Sequence, residues 1–174
     1  MKMLLNVIFG FSLALLWPFV SCHGVSYSGQ TAIPQNVPQD LMITLERTSC
    51  FGICPVYKLT ITADGAVVFE GRRNVKQEGT TIRSAISQER LKQLMAEFDR
   101  VRFFSLETNY SKDLRRCGTD SPSAFTSIRI NGKSKRIKHY LICREPKFKE
   151  ITELENKIDE IVNTAQWLPD KKVR

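Results

Sequence analysis

AFTSIRINGKSKRIKHYL, from Ala124 to Leu141, decides the fold. Two β-rich runs flank Asn131-Gly132, and an Asn-Gly pair supplies the two positive-φ residues that a tight hairpin turn demands. With that turn Thr126 lies opposite Ile137 and Ala124 opposite His139. Ile128, Ile130, Ile137, His139 and Leu141 then share one face, and Arg129, Arg136 and Lys138 take the other. A chain that closes such a hairpin late in its length is building an antiparallel sheet.

Working outward, Leu41, Ile43 and Leu45 alternate with Met42, Thr44 and Glu46, the period of a half-buried strand. Val56 to Ala63 and Ala66 to Gly71 form a second hairpin about Asp64-Gly65, and a two-residue turn there pairs Ile61 with Val68 and Ala63 with Ala66. Thr80 to Ile86 adds a fourth strand. Ser87 caps a helix whose Leu91, Leu94, Met95, Phe98 and Val101 recur at three and four, and Phe103, Phe104 and Leu106 continue as buried material. Pro146 opens a last helix with Phe148, Ile151, Leu154, Ile158, Ile161 and Ala165 inward, ending near Trp167. The order of strands, helix, hairpin and helix predicts an α+β domain over 41–168. Its antiparallel sheet is built from β-hairpins, with two helices packed on one face in two layers, since a parallel sheet needs a helix between successive strands. Residues 169–174 form a polar C-terminal tail.

The N-terminus addresses compartment. Lys2 precedes the apolar run Leu4–Val20, and no further charge occurs before Asp40, so residues 1–22 read as an export signal. Phe19-Val20-Ser21-Cys22 resembles a bacterial lipoprotein box, which implies acylation of Cys22. Cleavage near Gly24 and a retained membrane anchor stay open beside it. If Cys22 is acylated, His23 stands where Asp favours inner-membrane retention, so the resemblance points to the outer membrane. Residues 23–40, polar and carrying Pro34 and Pro38, make a flexible tether. With 174 residues, 26 Lys plus Arg, 18 Asp plus Glu and 42% hydrophobic content, wholesale disorder, a collagen repeat and a multi-span membrane protein are excluded.

Five cysteines fit an oxidising compartment. Setting Cys22 aside leaves Cys50, Cys54, Cys117 and Cys143, two disulfides in three connectivities; Cys50 with Cys54 is favoured as a local pair, and Cys117 with Cys143 because it would staple the long polar loop to the end of the hairpin. As thiolates, Cys50 and Cys54 can instead hold a soft metal such as copper or zinc, or exchange with other thiols. Cys50-x-x-x-Cys54-Pro55 resembles the motif of copper chaperones that assemble cytochrome oxidase, which implies a distant His ligand, for which His139 is the candidate. Those chaperones are built on βαβ units, whereas hairpins follow the motif here. His139 on an apolar face is otherwise a satisfied core residue, and Asp120 before Ser-Pro an Asx turn. No nucleophile elbow, zinc-protease motif or P-loop is present, so an enzyme would have to draw on Asp120, His139 and Tyr57.

Ile43 to Tyr57, with its Cys-x-Gly-x-Cys-Pro-x-Tyr core, together with Asp64-Gly65, Phe69-Glu70-Gly71, Thr119-Asp120-Ser121-Pro122, Leu154-Glu155 and Trp167, resembles the domain-of-unknown-function 6438 family of small, mostly secreted bacterial proteins. The resemblance implies one intact domain and an envelope location, and it transfers no catalytic residue.

From Arg129 to Lys149 the bases Arg129, Lys133, Lys135, Arg136, Lys138, Arg144, Lys147 and Lys149 stand against the single acid Glu145. The alternatives are a lysine-guarded hairpin edge and an anion-binding patch, for which Arg129, Lys133, Lys135, Arg136 and Lys138 are the candidates. In an exported protein its partner is an envelope protein or an anionic envelope polymer, with membrane attachment through the lipid and no nucleic acid. The expectation is a non-enzymatic binding or structural module, outer-membrane lipoprotein or periplasmic. The alternative is a copper, zinc or thiol-redox protein. Intact-mass spectrometry of the chain expressed in a bacterium with its own leader is expected to show an acylated Cys22 as N-terminus; an unmodified start near Gly24 returns simple secretion.

Overall fold

Side chains that alternate between core and surface mark five of the six strands, Thr80–Ala85 being exposed almost throughout, and two helices lay apolar stripes over the buried side. The computed structural model describes residues 36–110, 122–141 and 148–170, all in one compact unit. In chain order these are β1 (Met42–Arg47), β2 (Val56–Thr62), β3 (Ala66–Arg73), β4 (Thr80–Ala85), α1 (Gln88–Arg100), β5 (Ser123–Ile130), β6 (Lys133–Tyr140) and α2 (Lys149–Val162). Single 3-10 turns occupy Phe103–Ser105 and Thr164–Trp167. The sheet order is β4-β3-β2-β1-β5-β6, antiparallel throughout. The α+β, hairpin-built architecture expected from the sequence is therefore the one observed. β1 is central: four strands meander outward to β4, and α1 returns the chain so that β5 pairs along the other side of β1.

The core follows the predicted parity except on β3, where Val67 and Phe69 take the inward places and Ala66 and Val68, expected on the face of Ile61, do not. Ile43, Leu45, Leu59, Ile61, Val67, Phe69, Ala124, Ile128 and Ile137 point inward and meet Leu91, Leu94 and Phe98 of α1 and Ile151, Leu154 and Ile158 of α2. Burial on this scale is the dominant favourable contribution to the fold. Tyr57, Phe69 and Trp167 stack in series, ring centroids 5.3 and 4.7 Å apart. Ser87 caps α1, its Oγ accepting from the Arg90 N–H at 3.2 Å. The Asn131-Gly132 turn gives the predicted register, Thr126 opposite Ile137 and Ala124 opposite His139. Asp40 clamps that turn, its carboxylate accepting from the Asn131 and Gly132 N–H groups at 2.9 and 2.7 Å. Those bonds, Gly132 foremost, hold the Asp40 carboxyl below the usual carboxylate range.

Three local expectations need correction. Ile61 pairs with Val67, not Val68, because the loop holds three residues, Ala63-Asp64-Gly65, with Gly65 at φ 84°. A third residue with a left-handed glycine makes the bulged hairpin loop that follows two-residue turns in frequency. Ala165 is exposed, because Asn163 leaves α2 in the left-handed conformation and the next turn sends Thr164 and Trp167 inward instead. Phe104 is likewise exposed, since the 3-10 turn after Arg102 directs only Phe103 into the core. Pro146, assigned to the last helix, lies outside the described residues.

Gly65 tests this account. A Cβ there would stand 2.4 Å from the Ile86 carbonyl oxygen, whereas one at Gly132, also at positive φ, meets nothing within 4 Å. Gly132→Ala is expected to cost about 1 kcal/mol from backbone strain alone, and Gly65→Ala roughly 2–4 kcal/mol. Denaturant midpoints of the two variants check the difference.

Candidate functional site

At the end of the sheet where β1 stops, the inward row of side chains turns polar. It runs His139, Ala124, Arg47 and Tyr57 across β6, β5, β1 and β2. Arg47 faces inward by the parity that buries Ile43 and Leu45. α2 answers with two carboxylates inside its apolar stripe: Glu155 and Asp159, one helical turn apart, share the face of Ile151 and Ile158.

Asp159 holds one half of the row. Its Oδ2 accepts from Arg47 Nη2 at 2.6 Å and Nε at 2.9 Å, and its Oδ1 from the Tyr57 hydroxyl at 2.7 Å and the Thr164 hydroxyl at 2.9 Å. Arg47 Nε also donates to the Tyr57 oxygen at 3.0 Å. Burial works to lower the Arg47 pKa, but Asp159, Tyr57 and Glu155 outweigh it and push the guanidinium above its ordinary range. Burial first, then the Asp159 charge, raises the Tyr57 phenol.

Glu155 holds the other half. Its Oε1 accepts from the Thr126 hydroxyl at 3.1 Å, and its Oε2 lies 2.9 Å from His139 Nδ1. Glu155 and His139 are each only 1% exposed. His139 Nε2 is the one buried side-chain polar atom without a hydrogen-bond partner among the described residues. The ring rests against Phe148 and Tyr110, centroids 5.8 and 6.4 Å away. His139 and Tyr57, both candidates for an enzymatic constellation, stand three strand spacings apart, about 14 Å. Arg47, Tyr57 and Asp159 are bonded to one another, and Glu155 to Thr126 and His139; chemically the row is an ionic seam between helix and sheet.

Beside the seam, Cys50 and Cys54 are joined to each other by a disulfide, the favoured local pairing. In that state neither sulfur is a thiolate. Among the described residues no three of His, Cys, Asp and Glu gather as a metal-binding group. Cys22, Cys117, Cys143 and Asp120 lie outside the described residues.

The basic hairpin divides. Arg129, Arg136 and Lys138 stand on the sheet face that no helix covers; Arg136 lies 4.5 Å and Lys138 5.9 Å from the Phe125 ring centroid. Arg136 also reaches Glu46 of β1 at 3.2 Å, and Arg129 Nε donates to the Asp40 carbonyl at 3.2 Å. Lys133 is exposed beside the turn. Lys135 points to the helix side, where its ammonium donates to the Phe104 and Leu106 carbonyls and burial lowers its pKa. It therefore stands apart from Arg129, Arg136 and Lys138.

With this geometry in place, comparison with family models gives a match over residues 41–162 to the domain of unknown function DUF6438. The chain belongs to the DUF6438 family. No curated protein matched the chain. The DUF6438 match runs from β1 to the last residue of α2, so it takes in the whole seam.

Sequence reading missed Arg47, Glu155 and Asp159 as a unit, though the signal was there: charges at positions whose period is apolar. It also left Phe51 and Ile53 unremarked, because exposure of a loop residue has no periodic signature.

Asp159→Ala leaves Arg47 buried without its counter-charge and is expected to cost about 3–5 kcal/mol, while the Arg47→Met/Asp159→Leu pair recovers most of that. Chemical denaturation of the three proteins checks the order. Tyr57 contributes stability that is whole below its unfolded value near 10 and is lost as pH rises through its higher folded value. Alkaline titration followed by phenolate absorbance is expected to show Tyr57 ionising only as the protein unfolds, a step missing in Tyr57→Phe.

Proposed function

We propose that this DUF6438 protein is an exported, lipid-anchored, non-enzymatic module of the bacterial cell envelope that binds an anionic envelope polymer through the uncovered face of its sheet. The observation that carries the reading is the outward side of β5 and β6. It presents Phe125, Ser127, Arg129, Ser134, Arg136, Lys138 and Tyr140, cations and aromatics with no acid on either strand. Glu46 and Glu70 are the acids on the neighbouring strands of that face, and both are engaged with Arg72, Lys58 or Arg136. A flat, basic, aromatic surface suits a repeating polyanion better than a small substrate, which needs a concave pocket.

Other features support the remaining parts. The apolar leader and Cys22 favour export and acylation, and the Cys50–Cys54 disulfide suits an oxidising compartment. The ionic seam engages the Tyr57 hydroxyl and His139 Nδ1 and holds the two residues apart, which favours binding over chemistry. The metal or thiol-redox alternative requires Cys50 and Cys54 to be reduced first.

Purified lipopolysaccharide is the probe. The full chain is expected to bind it with an affinity that falls as salt rises, and the Arg129→Glu/Arg136→Glu/Lys138→Glu triple is expected to bind at least about tenfold more weakly. Lys135→Glu, on the opposite side, serves as the control. Binding that the triple leaves unchanged, or no binding by the parent chain, removes the proposal.

A further inference from the structure

Phe51 and Ile53 are 95% and 86% exposed, the most exposed large apolar side chains among the described residues. One such residue needs no explanation on a protein surface. Here there are two, in a short ring that the Cys50–Cys54 disulfide closes, with Gly52 between them at φ 139°. Nothing packs on either, so the ring is a protrusion and not a groove. Its far side is fixed to the domain: Asn74 Nδ2 donates to the Cys54 carbonyl at 3.0 Å, and Val56 pairs with Arg73.

That pairing brings cations to the base of the ring. Arg72 and Arg73 end β3 in exposed positions, and Lys76 follows. Arg72 leans on Glu46, Lys76 reaches the fully exposed Asp170 at 3.5 Å, and Arg73 has no ion pair among the described residues. The nearby Glu78 carboxylate is turned onto the Asn74 N–H.

We infer that the Cys50–Cys54 ring is a bilayer-contact element: Phe51 and Ile53 enter the interfacial zone of an anionic membrane while Arg72 and Arg73 sit at its headgroups. A convex pair of apolar side chains needs two matching pockets on a protein partner, but a bilayer accepts them anywhere along its surface. Apolar residues above a collar of cations are the pattern of interfacial binding to anionic lipid. Closing the ring covalently lowers the cost of ordering it on contact. Arg72 shares Glu46 with Arg136 of the polymer-binding face, whereas Phe51 and Ile53 belong to the ring alone, so the reporter on the ring lets either proposal fail alone.

The test places a tryptophan reporter at each end of the domain in the processed chain, Phe51→Trp on the ring and Glu89→Trp at the start of α1, read over the background of Trp167. Vesicles of phosphatidylcholine and phosphatidylglycerol carry brominated acyl chains as quencher. The expected result is quenching of the Phe51→Trp signal, none of the Glu89→Trp signal, and loss of the effect when Arg72→Glu/Arg73→Glu is added or phosphatidylglycerol is left out. Equal quenching at both positions, none at position 51, or undiminished quenching in phosphatidylcholine alone overturns the inference. Both reporter sites are exposed, so folding is unaffected by the substitutions.

Discussion

Two carboxylates on one face of the last helix hold the domain's ends together. Glu155 and Asp159 lie among Ile151, Leu154 and Ile158, where an unpaired charge would be costly, and each draws partners from strands in distant parts of the chain. Asp159 ties β1 and β2, and Glu155 ties β5 and β6. The seam therefore fixes the rotation and axial position of α2 on the sheet in a way that apolar packing alone, being non-directional, does not. It also forces Arg47, Tyr57 and His139 into one row, and small Ala124 fills the β5 place between His139 and Arg47.

The elements were legible because period and turn chemistry are local. Leu41 to Leu45 and the Ala124–Leu141 hairpin alternate cleanly, Asn131-Gly132 sets its own register, and Ser87 marks a helix start. Asp64-Gly65 misled by one residue: the same dipeptide serves two-residue and three-residue loops, and the choice here depends on Ile86, whose N–H donates to the Gly65 carbonyl at 2.9 Å from across the next strand. Ala165 misled because the heptad-like pattern runs past a break at Asn163 that only the left-handed backbone reveals. The local Cys50–Cys54 pairing was readable from spacing, since two cysteines four residues apart meet without help from the fold.

The candidate site was less legible, for a physical reason. Whether Lys135 joins Arg136 and Lys138 depends on which face of β6 each occupies and on what lies over the edge. The carbonyls of Phe104 and Leu106 that capture Lys135 belong to a turn whose position no pattern announces. Likewise, an arginine after an apolar alternation reads as a strand end until a carboxylate from residue 159 is known to stand above it.

The seam has a further implication for how the chain can be handled before it is complete. Arg47 is among the first residues of the domain to be made, and Asp159 among the last. Without α2, the polar row of the sheet has no counter-charges and Leu45, Leu59 and Ile137 lack much of their cover, so no earlier fragment gains from closing. A chain passed N-terminus first through a narrow channel would stay unstructured until its final helix emerged, and a premature stop anywhere before Glu155 would yield a product for proteolysis instead of a smaller domain.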